Sequence, residues 1–325
     1  MNTRLKQGKA PMNAIDRRRF LTISAAAVGV AGAGALLGRN ATSQALYRWE
    51  GVALGTSASI TLAHPEAERI VARARAEIAR LEGVFSLYRA DSALSRLNAA
   101  GKLEQPPFEL LECLSLCGTV NAATGGLFDP SVQPVWRLYA DSYDLGRVPD
   151  TAALAAAQAL VGWGGVRMDA ARISFAEPGM ALTLNGVAQG FIADRVATLL
   201  ASEGLSDILV DTGEMRALGG HPHGGAWPIS LDVEGQVLPN AVPLRNLALA
   251  SSAPRGTTFD DARTQGHILN PATGTPSAQP WRLVSVTAPQ AALADALSSA
   301  FCLMSREEIA AALTAFPSAR LVYLG

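Results

Sequence analysis

The chain is 325 residues long, 49% hydrophobic and 17% charged, with 30 Gly, 18 Pro and 3 Cys. That composition excludes disorder for most of the chain, collagen-like or low-complexity architectures, and, with only Cys113, Cys117 and Cys302, a disulfide framework. The net charge of −1 divides unevenly: residues 1–45 hold seven basic side chains and one acid, so 20 basic and 27 acidic residues remain, and a body carrying −7 has no electrostatic reason to bind nucleic acid or an anionic membrane.

Asp16-Arg17-Arg18-Arg19-Phe20-Leu21 opens an apolar run to Leu37, rich in Ala and Gly, too short and too weakly hydrophobic for a membrane anchor. Ser43-Gln44-Ala45 supplies a small-x-small cleavage site. The pattern is similar to the twin-arginine export signal, with Asp16 in place of the usual Ser or Thr. Export by that machinery puts the mature chain, 46–325, in the periplasm.

Within the mature chain, Ala53 to Leu62 predicts a strand. Ile70, Ala74, Ile78 and Leu81 recur at helical spacing between Pro65 and about Val84. A second helix is expected from Phe108 to Ala123, ended by Thr124-Gly125-Gly126. Thr151 to Leu160 predicts a short helix, and Val166–Met168 with Ile173–Phe175 a hairpin. Asn185-Gly186 opens a third long helix, closed by Gly204. Short strands follow at Ile208–Val210, Trp227–Val233, Leu244–Ala250 and Trp281–Thr287. Helices over Gln290–Met304 and Arg306–Leu313 and a strand at Leu321–Leu324 complete the chain. Without βαβ alternation or an internal repeat, the fold class is α+β: a single domain with antiparallel sheets and packed helices. Cys113 and Cys117, four apart on a helix, read as buried thiols, and His221-Pro222-His223 as a loop lacking a third metal ligand.

The common nucleotide and hydrolase signatures are absent: no G-x-G-x-x-G after a strand, no Walker loop, no G-x-S-x-G and no C-x-x-C. Four other segments carry the chemistry. They are Phe85 to Ser92 with Tyr88, Asp91 and Ser92; Thr124 to Val132 with Leu127-Phe128-Asp129; Asn185 to Asp194; and Gly266-His267-Ile268-Leu269-Asn270-Pro271-Ala272-Thr273-Gly274, followed by Ala294-Asp295-Ala296-Leu297-Ser298-Ser299. Asp295 and Ser299 are four apart and share a helix face, so they can touch one ion. An isolated carboxylate among Ala, Leu and Phe is costly unless something pairs with it. The plain alternatives are a solvated helix carboxylate for Asp295, an Asx-type turn for Tyr88-Asp91-Ser92, a helix terminator with a core Phe at 127–129, and a structural role for His267.

In this order, over roughly residues 50–305, the four segments resemble the ApbE family, the FAD:protein FMN transferases. The resemblance implies one ApbE-like domain with an FAD groove between its halves. It implies cleavage of FAD, with FMN joined through a phosphoester to a Thr or Ser of a periplasmic or membrane-bound target flavoprotein, and release of AMP. Mg²⁺ is the implied cofactor, held by the Ala188 carbonyl, Asp295 and Ser299, with Ser298 beside them. Tyr88, Asp91, Ser92, Leu127, Phe128, Asp129, Asn185, Phe191, His267 and Ile268 are the implied FAD contacts. His267 and Asp295 are the implied catalytic groups, His267 orienting or deprotonating the incoming hydroxyl. A divalent cation suits an acidic protein that must meet a pyrophosphate. The chain departs from the family at Gln189, where Lys is common, at Thr212-Gly213-Glu214 for a Gly-Gly pair, at Ser252-Ala253 for Ser-Gly, at Asn270 for Asp and at Ser299 for Thr. These departures leave open an FAD-holding accessory protein for a respiratory complex, as in the family's nitrous-oxide-reductase accessory branch, and simple hydrolysis of FAD to FMN and AMP.

Overall fold

The computed structural model describes residues 45–325, so the export-signal reading falls, apart from Ala45, outside the described residues. Its main sheet has seven strands: β1 (Tyr47–Ala53), β2 (Thr56–Leu62), β3 (Ile208–Asp211), β4 (Met215–Leu218), β5 (Ala248–Ser252), β6 (Val284–Ala288) and β7 (Arg320–Leu324). They lie side by side in chain order, each antiparallel to its neighbours. Among the described residues eight α-helices accompany them: α1 (Ala67–Phe85), α2 (Ala93–Ala100), α3 (Phe108–Ala123), α4 (Gln133–Asp144), α5 (Thr151–Gln158), α6 (Ala188–Ser202), α7 (Ala291–Phe301) and α8 (Arg306–Leu313). The fold is α+β, with mixed helices and antiparallel sheet.

The period-two alternation of the strands sorts the core into two faces. Ile208 and Val210 of β3, Ala248 and Ala250 of β5, and Val284 and Val286 of β6 face the main core with α1, α3, α6 and α7. Leu209, Met215, Ala217 and Leu249 point the other way, onto a cap formed by the short strands Trp227–Ile229 and Val242–Leu244. A third cluster joins α4 and α5 to Phe259 and Leu269 of the long connection between β5 and β6. The functional cleft lies between this third unit and the main core.

Several elements differ from the sequence reading, each for a local reason. The strand expected over 53–62 is the second half of a hairpin, whose turn, Leu54-Gly55, has positive φ at both residues (47° and 85°). That is the two-residue geometry matching the twist of paired strands, and the charges of Tyr47–Ala53 had hidden its partner. The run 244–250 divides because Asn246 takes φ 53° and its side chain accepts a 2.7 Å bond from the Gly219 N–H. Four elements gave no periodic signal: α2, capped by Ser92 through the Ser95 N–H at 3.0 Å, α4, β4, and the short strand Lys102–Glu104 that pairs with Arg172–Phe175. Cys113, Cys117 and Cys302 are all buried free thiols.

Candidate active site

The start of α6 and the whole of α7 are brought together by residues with no room to spare. A side chain on Gly190 would place its Cβ 2.3 Å from the Ala291 carbonyl oxygen, so only glycine allows this approach. Asp194, one turn further along α6, accepts the Ala291 and Ala292 N–H groups at 2.9 Å each. It thus satisfies orphan donors at the start of α7 from another helix and places a negative charge at the positive end of that helix dipole. Arg216 of β4 pairs with Asp194 at 3.2 Å. These contacts fix α7 so that Asp295 and Ser299 both face the cleft. The hydroxyl of Ser299 packs against Gly186, where an added Cβ would lie 2.8 Å from it.

The second wall is the turn after α3. Gly125 and Gly126 adopt φ values of 61° and 86°, reversing the chain. The Thr124 hydroxyl donates to Val120 O at 2.7 Å and accepts the Phe128 N–H at 3.1 Å, while Asn121 Nδ2 donates to Phe128 O at 2.9 Å. Leu127 and Phe128 are held on the cleft by these bonds. The Asp129 carboxylate is already committed: it accepts from Ser131 N, Ser131 Oγ and Trp163 N at 2.8, 2.6 and 3.0 Å. Burial still lifts its pKa above the ordinary aspartate value.

The third wall carries His267 and Ile268. His267 Nδ1 lies 3.0 Å from the Thr257 carbonyl oxygen. A carbonyl only accepts, so Nδ1 carries the proton and Nε2 keeps its lone pair. Part of the ring opens on the cleft, yet the dense protein around it pulls the imidazolium pKa down to about 4, with the Thr257 contact opposing. The ring is therefore neutral at pH 7.

The floor is acidic. Asp295 is 2% exposed and Glu214 6%; both line the cleft. Glu214 accepts the Ser251 N–H at 3.2 Å, and Asp295 the Gly190 N–H at 3.3 Å. Burial pushes the Asp295 carboxyl up to about 8, and burial together with the nearby Asp295 charge raises Glu214 as well. Gln189, also on the cleft, spends its amide on the Thr56 hydroxyl at 2.6 Å. With the hydroxyls of Ser252 and Ser299 3.3 Å apart, the donors offered here are hard oxygens. Among the described residues no three His, Cys, Asp or Glu side chains gather around one point. Hard oxygen donors of this kind are of the type a hard divalent cation takes.

The cleft, about 990 Å³ of empty volume including its open mouth, gathers Leu127, Phe128, Asp129, Asn185, His267, Ile268, Asp295 and Ser299 of the residues expected from sequence. Ala188 is the buried first residue of α6, adjoining the cleft-lining Gln189 without lining the cleft itself. Four expected contacts are not brought to it. Tyr88 is 57% exposed, and the Asp91 carboxylate forms an exposed ion pair with Arg89 at 2.9 Å. Ser92 caps α2 and donates to Ser86 O at 2.5 Å. Phe191 packs edge-on to Phe85, 5.2 Å between ring centres, in the main core. Sequence reasoning missed Trp136, Gln189, Glu214 and Thr257 as cleft residues. Only Glu214 gave a local signal, a charge beside the apolar strand Met215–Leu218.

Known proteins were compared with this arrangement. The model of the ApbE family matches residues 54–322. An FAD:protein FMN transferase of Treponema pallidum is 30% identical over 268 residues, 75% of this chain and 73% of its own length. One from Klebsiella pneumoniae is 28% identical over 71% of this chain and 74% of its length. The crystal structure of the ApbE protein of Thermotoga maritima superposes with a TM-score of 0.77 at 25% identity, covering 85% of this chain and 93% of that one. The flavin transferase ApbE of Vibrio cholerae gives 0.74 at 23% identity with the same coverage.

Proposed function

The chain belongs to the ApbE family, and from that premise we propose that it is an FAD:protein FMN transferase, moving FMN from FAD to a Thr or Ser hydroxyl of a target flavoprotein. The observation that carries the reading is the convergence on one cleft of a neutral His267, the Asp295–Ser299 pair and the Leu127-Phe128 turn. In the reaction the acceptor oxygen forms a bond to the FMN phosphorus while the phosphoanhydride bond to the adenylate breaks, and AMP leaves with that electron pair. His267 Nε2 holds the acceptor hydroxyl and takes its proton. The negative pyrophosphate, once bound, raises the imidazole pKa from about 4 toward the working range. The braced backbone of 127–129 orients the flavin half, and the closely packed starts of α6 and α7 hold the phosphates against the acidic floor.

Asp295 and Ser299, with the backbone at the start of α6 and Glu214 beside them, are the residues that hold Mg²⁺ in this reading. Bound there, Mg²⁺ supplies counter-charge for the phosphates and for the departing AMP. The mature protein works in the periplasm after twin-arginine export. Changing Arg17 and Arg18 to Lys then leaves precursor in the cytoplasm, and normal periplasmic levels of that variant refute the route.

Gln189, locked to Thr56 where a lysine is common in the family, favours one second reading: a protein that holds FAD for a respiratory complex without turning it over. Incubation with FAD, Mg²⁺ and a target domain separates the cases. Flavin covalently on the target supports transfer, free FMN and AMP indicate hydrolysis, and intact bound FAD indicates the carrier.

A further inference from the structure

Three serine hydroxyls join the floor of the cleft to the body of α7. Ser252 closes β5, and Ser298 and Ser299 are neighbours on α7. Ser252 Oγ lies 2.7 Å from Ser298 Oγ and 3.3 Å from Ser299 Oγ. Ser298 Oγ in turn lies 3.0 Å from the Asp295 carbonyl oxygen. Ser252 and Ser299 line the cleft, whereas Ser298 is fully buried behind them. Ser299 Oγ also abuts Gly186, where an added Cβ would come within 2.8 Å of it.

Each hydroxyl has one proton and two lone pairs, so the order of donors follows from the buried end. The Asp295 carbonyl only accepts, so Ser298 donates to it and has no proton left for Ser252. Ser252 therefore donates to Ser298, which spends its own proton. Toward Ser299 it can then only accept, so Ser299 donates to Ser252. This last bond is long, and it selects a rotamer rather than adding much stability. The Ser299 proton is turned back into the protein, and its lone pairs are left for the cleft. A hydroxyl so turned is a ligand for a hard cation and not a hydrogen-bond donor to a phosphate. Such selection matters for serine, whose χ1 has three open wells, where the branch of a threonine would restrict them. We infer that Ser252 is a positioning residue of the metal site: anchored by Ser298, it takes the Ser299 proton and fixes Ser299 as a cation ligand. Ser298, with its proton on the Asp295 carbonyl and a lone pair on Ser252, is the anchor and not a ligand. The assignment rests on the reading of Asp295 and Ser299 as the residues that hold Mg²⁺.

The test titrates the mature, flavin-free protein with Mn²⁺, a paramagnetic probe that Mg²⁺ displaces, and reads binding by electron paramagnetic resonance. Ser252→Ala weakens Mn²⁺ binding about tenfold, the ordinary cost of losing a group that orients a ligand. Ser252→Thr, which keeps the hydroxyl, restores it. Ser298→Ala breaks the same chain from its buried end and also weakens Mn²⁺, which covers the case in which Ser252→Ala folds poorly. The decisive reading is a double-mutant cycle: Ser252→Ala adds no further loss in a Ser299→Ala background, because Ser252 acts only through Ser299. Additive losses overturn the assignment, since Ser252 would then meet the cation itself. Unchanged affinity in Ser252→Ala overturns it too, and a loss in Ser252→Ala with none in Ser298→Ala overturns the order of donors. The two readings fail separately: wild-type protein that takes up no Mn²⁺ contradicts the metal site, whereas normal uptake untouched by Ser252 and Ser298 contradicts only the hydroxyl chain.

Discussion

Asp295 makes the metal-free protein lose stability as pH rises. Its carboxyl is 2% exposed, takes one 3.3 Å hydrogen bond from the Gly190 N–H, and is pushed up to about 8 by burial, against an ordinary value of 3.8. Between those two values the folded state keeps a proton that the unfolded state has released, so stability is highest near pH 4 and is lost progressively toward pH 8. Four pH units at about 1.4 kcal/mol each set a ceiling of about 6 kcal/mol. Relaxation and water entry bring the working figure to about 2–4 kcal/mol by pH 8. Asp295→Asn keeps the shape and the Gly190 bond but has nothing to ionise. Urea unfolding in EDTA at several pH values from 5 to 8.5 reads the effect as the difference in slope between wild type and variant. Using the difference removes the contribution of Asp211 and Asp129, which burial also raises, and reads Asp295 together with its charge coupling to Asp194 and Glu214. Adding Mg²⁺ should restore wild-type stability at the alkaline end and leave the variant unchanged. Equal slopes in the two proteins would refute the reasoning.

Turnover should fall about 10²-fold or more in Asp295→Asn while FAD affinity, carried largely by ring contacts, falls much less; Ser299→Ala acts in the same direction but more weakly, since water can replace a neutral hydroxyl, and a Mg²⁺ titration of both variants checks the order. Taken in saturating Mg²⁺, which keeps Asp295 ionised, the kcat/KM profile of the wild type should keep its activity from pH 7 down to pH 5.5, because His267 protonates only near pH 4 in the free enzyme; a His267-dependent acid limb at pH 6.5 contradicts this. His267→Gln should lower kcat by about 10²-fold with little change in FAD affinity, measured by single-turnover transfer. Gly190→Ala should destabilise by about 2 kcal/mol or more, because its Cβ meets the Ala291 carbonyl, and a thermal melt matching the wild type would show that the two helices can separate cheaply.

How much of the site was legible depended on whether its residues signal through local spacing. Asp295 and Ser299 stand four apart on an apolar helix, and the Gly-Gly turn before Leu127-Phe128 announces a chain reversal, so both reached the cleft as expected. Trp136 gave nothing: α4 carries Trp136, Tyr139 and Tyr143 at spacings that suit any buried helix face, and only packing against Phe259 brings the indole to the cleft. Glu214 and Gln189 come from the turn between two strands and the first turn of a helix, brought near each other by the Thr212 hydroxyl donating to the Gln189 carbonyl at 2.8 Å, a contact that no spacing rule records; Gly213 has room for a side chain only if Gln189 moves. Conversely, Ser92 and Phe191 look like site residues in sequence and serve the scaffold, one as a helix cap and the other as a core ring. The sheet was legible where burial alternates, as in Ile208–Asp211, and was missed where charges interrupt it, as in Tyr47–Ala53.

The central claim is group transfer in this cleft, and intact mass spectrometry of a target flavoprotein domain tests it most directly. The domain is incubated with FAD, Mg²⁺ and the mature protein, and the products are separated from it under denaturing conditions. The account expects the target to gain the mass of FMN less one water, at a Thr or Ser, with one AMP released per modification and neither product formed by Asp295→Asn on the same timescale. An unmodified target beside FAD that is consumed to free FMN and AMP, or not consumed at all, would contradict it.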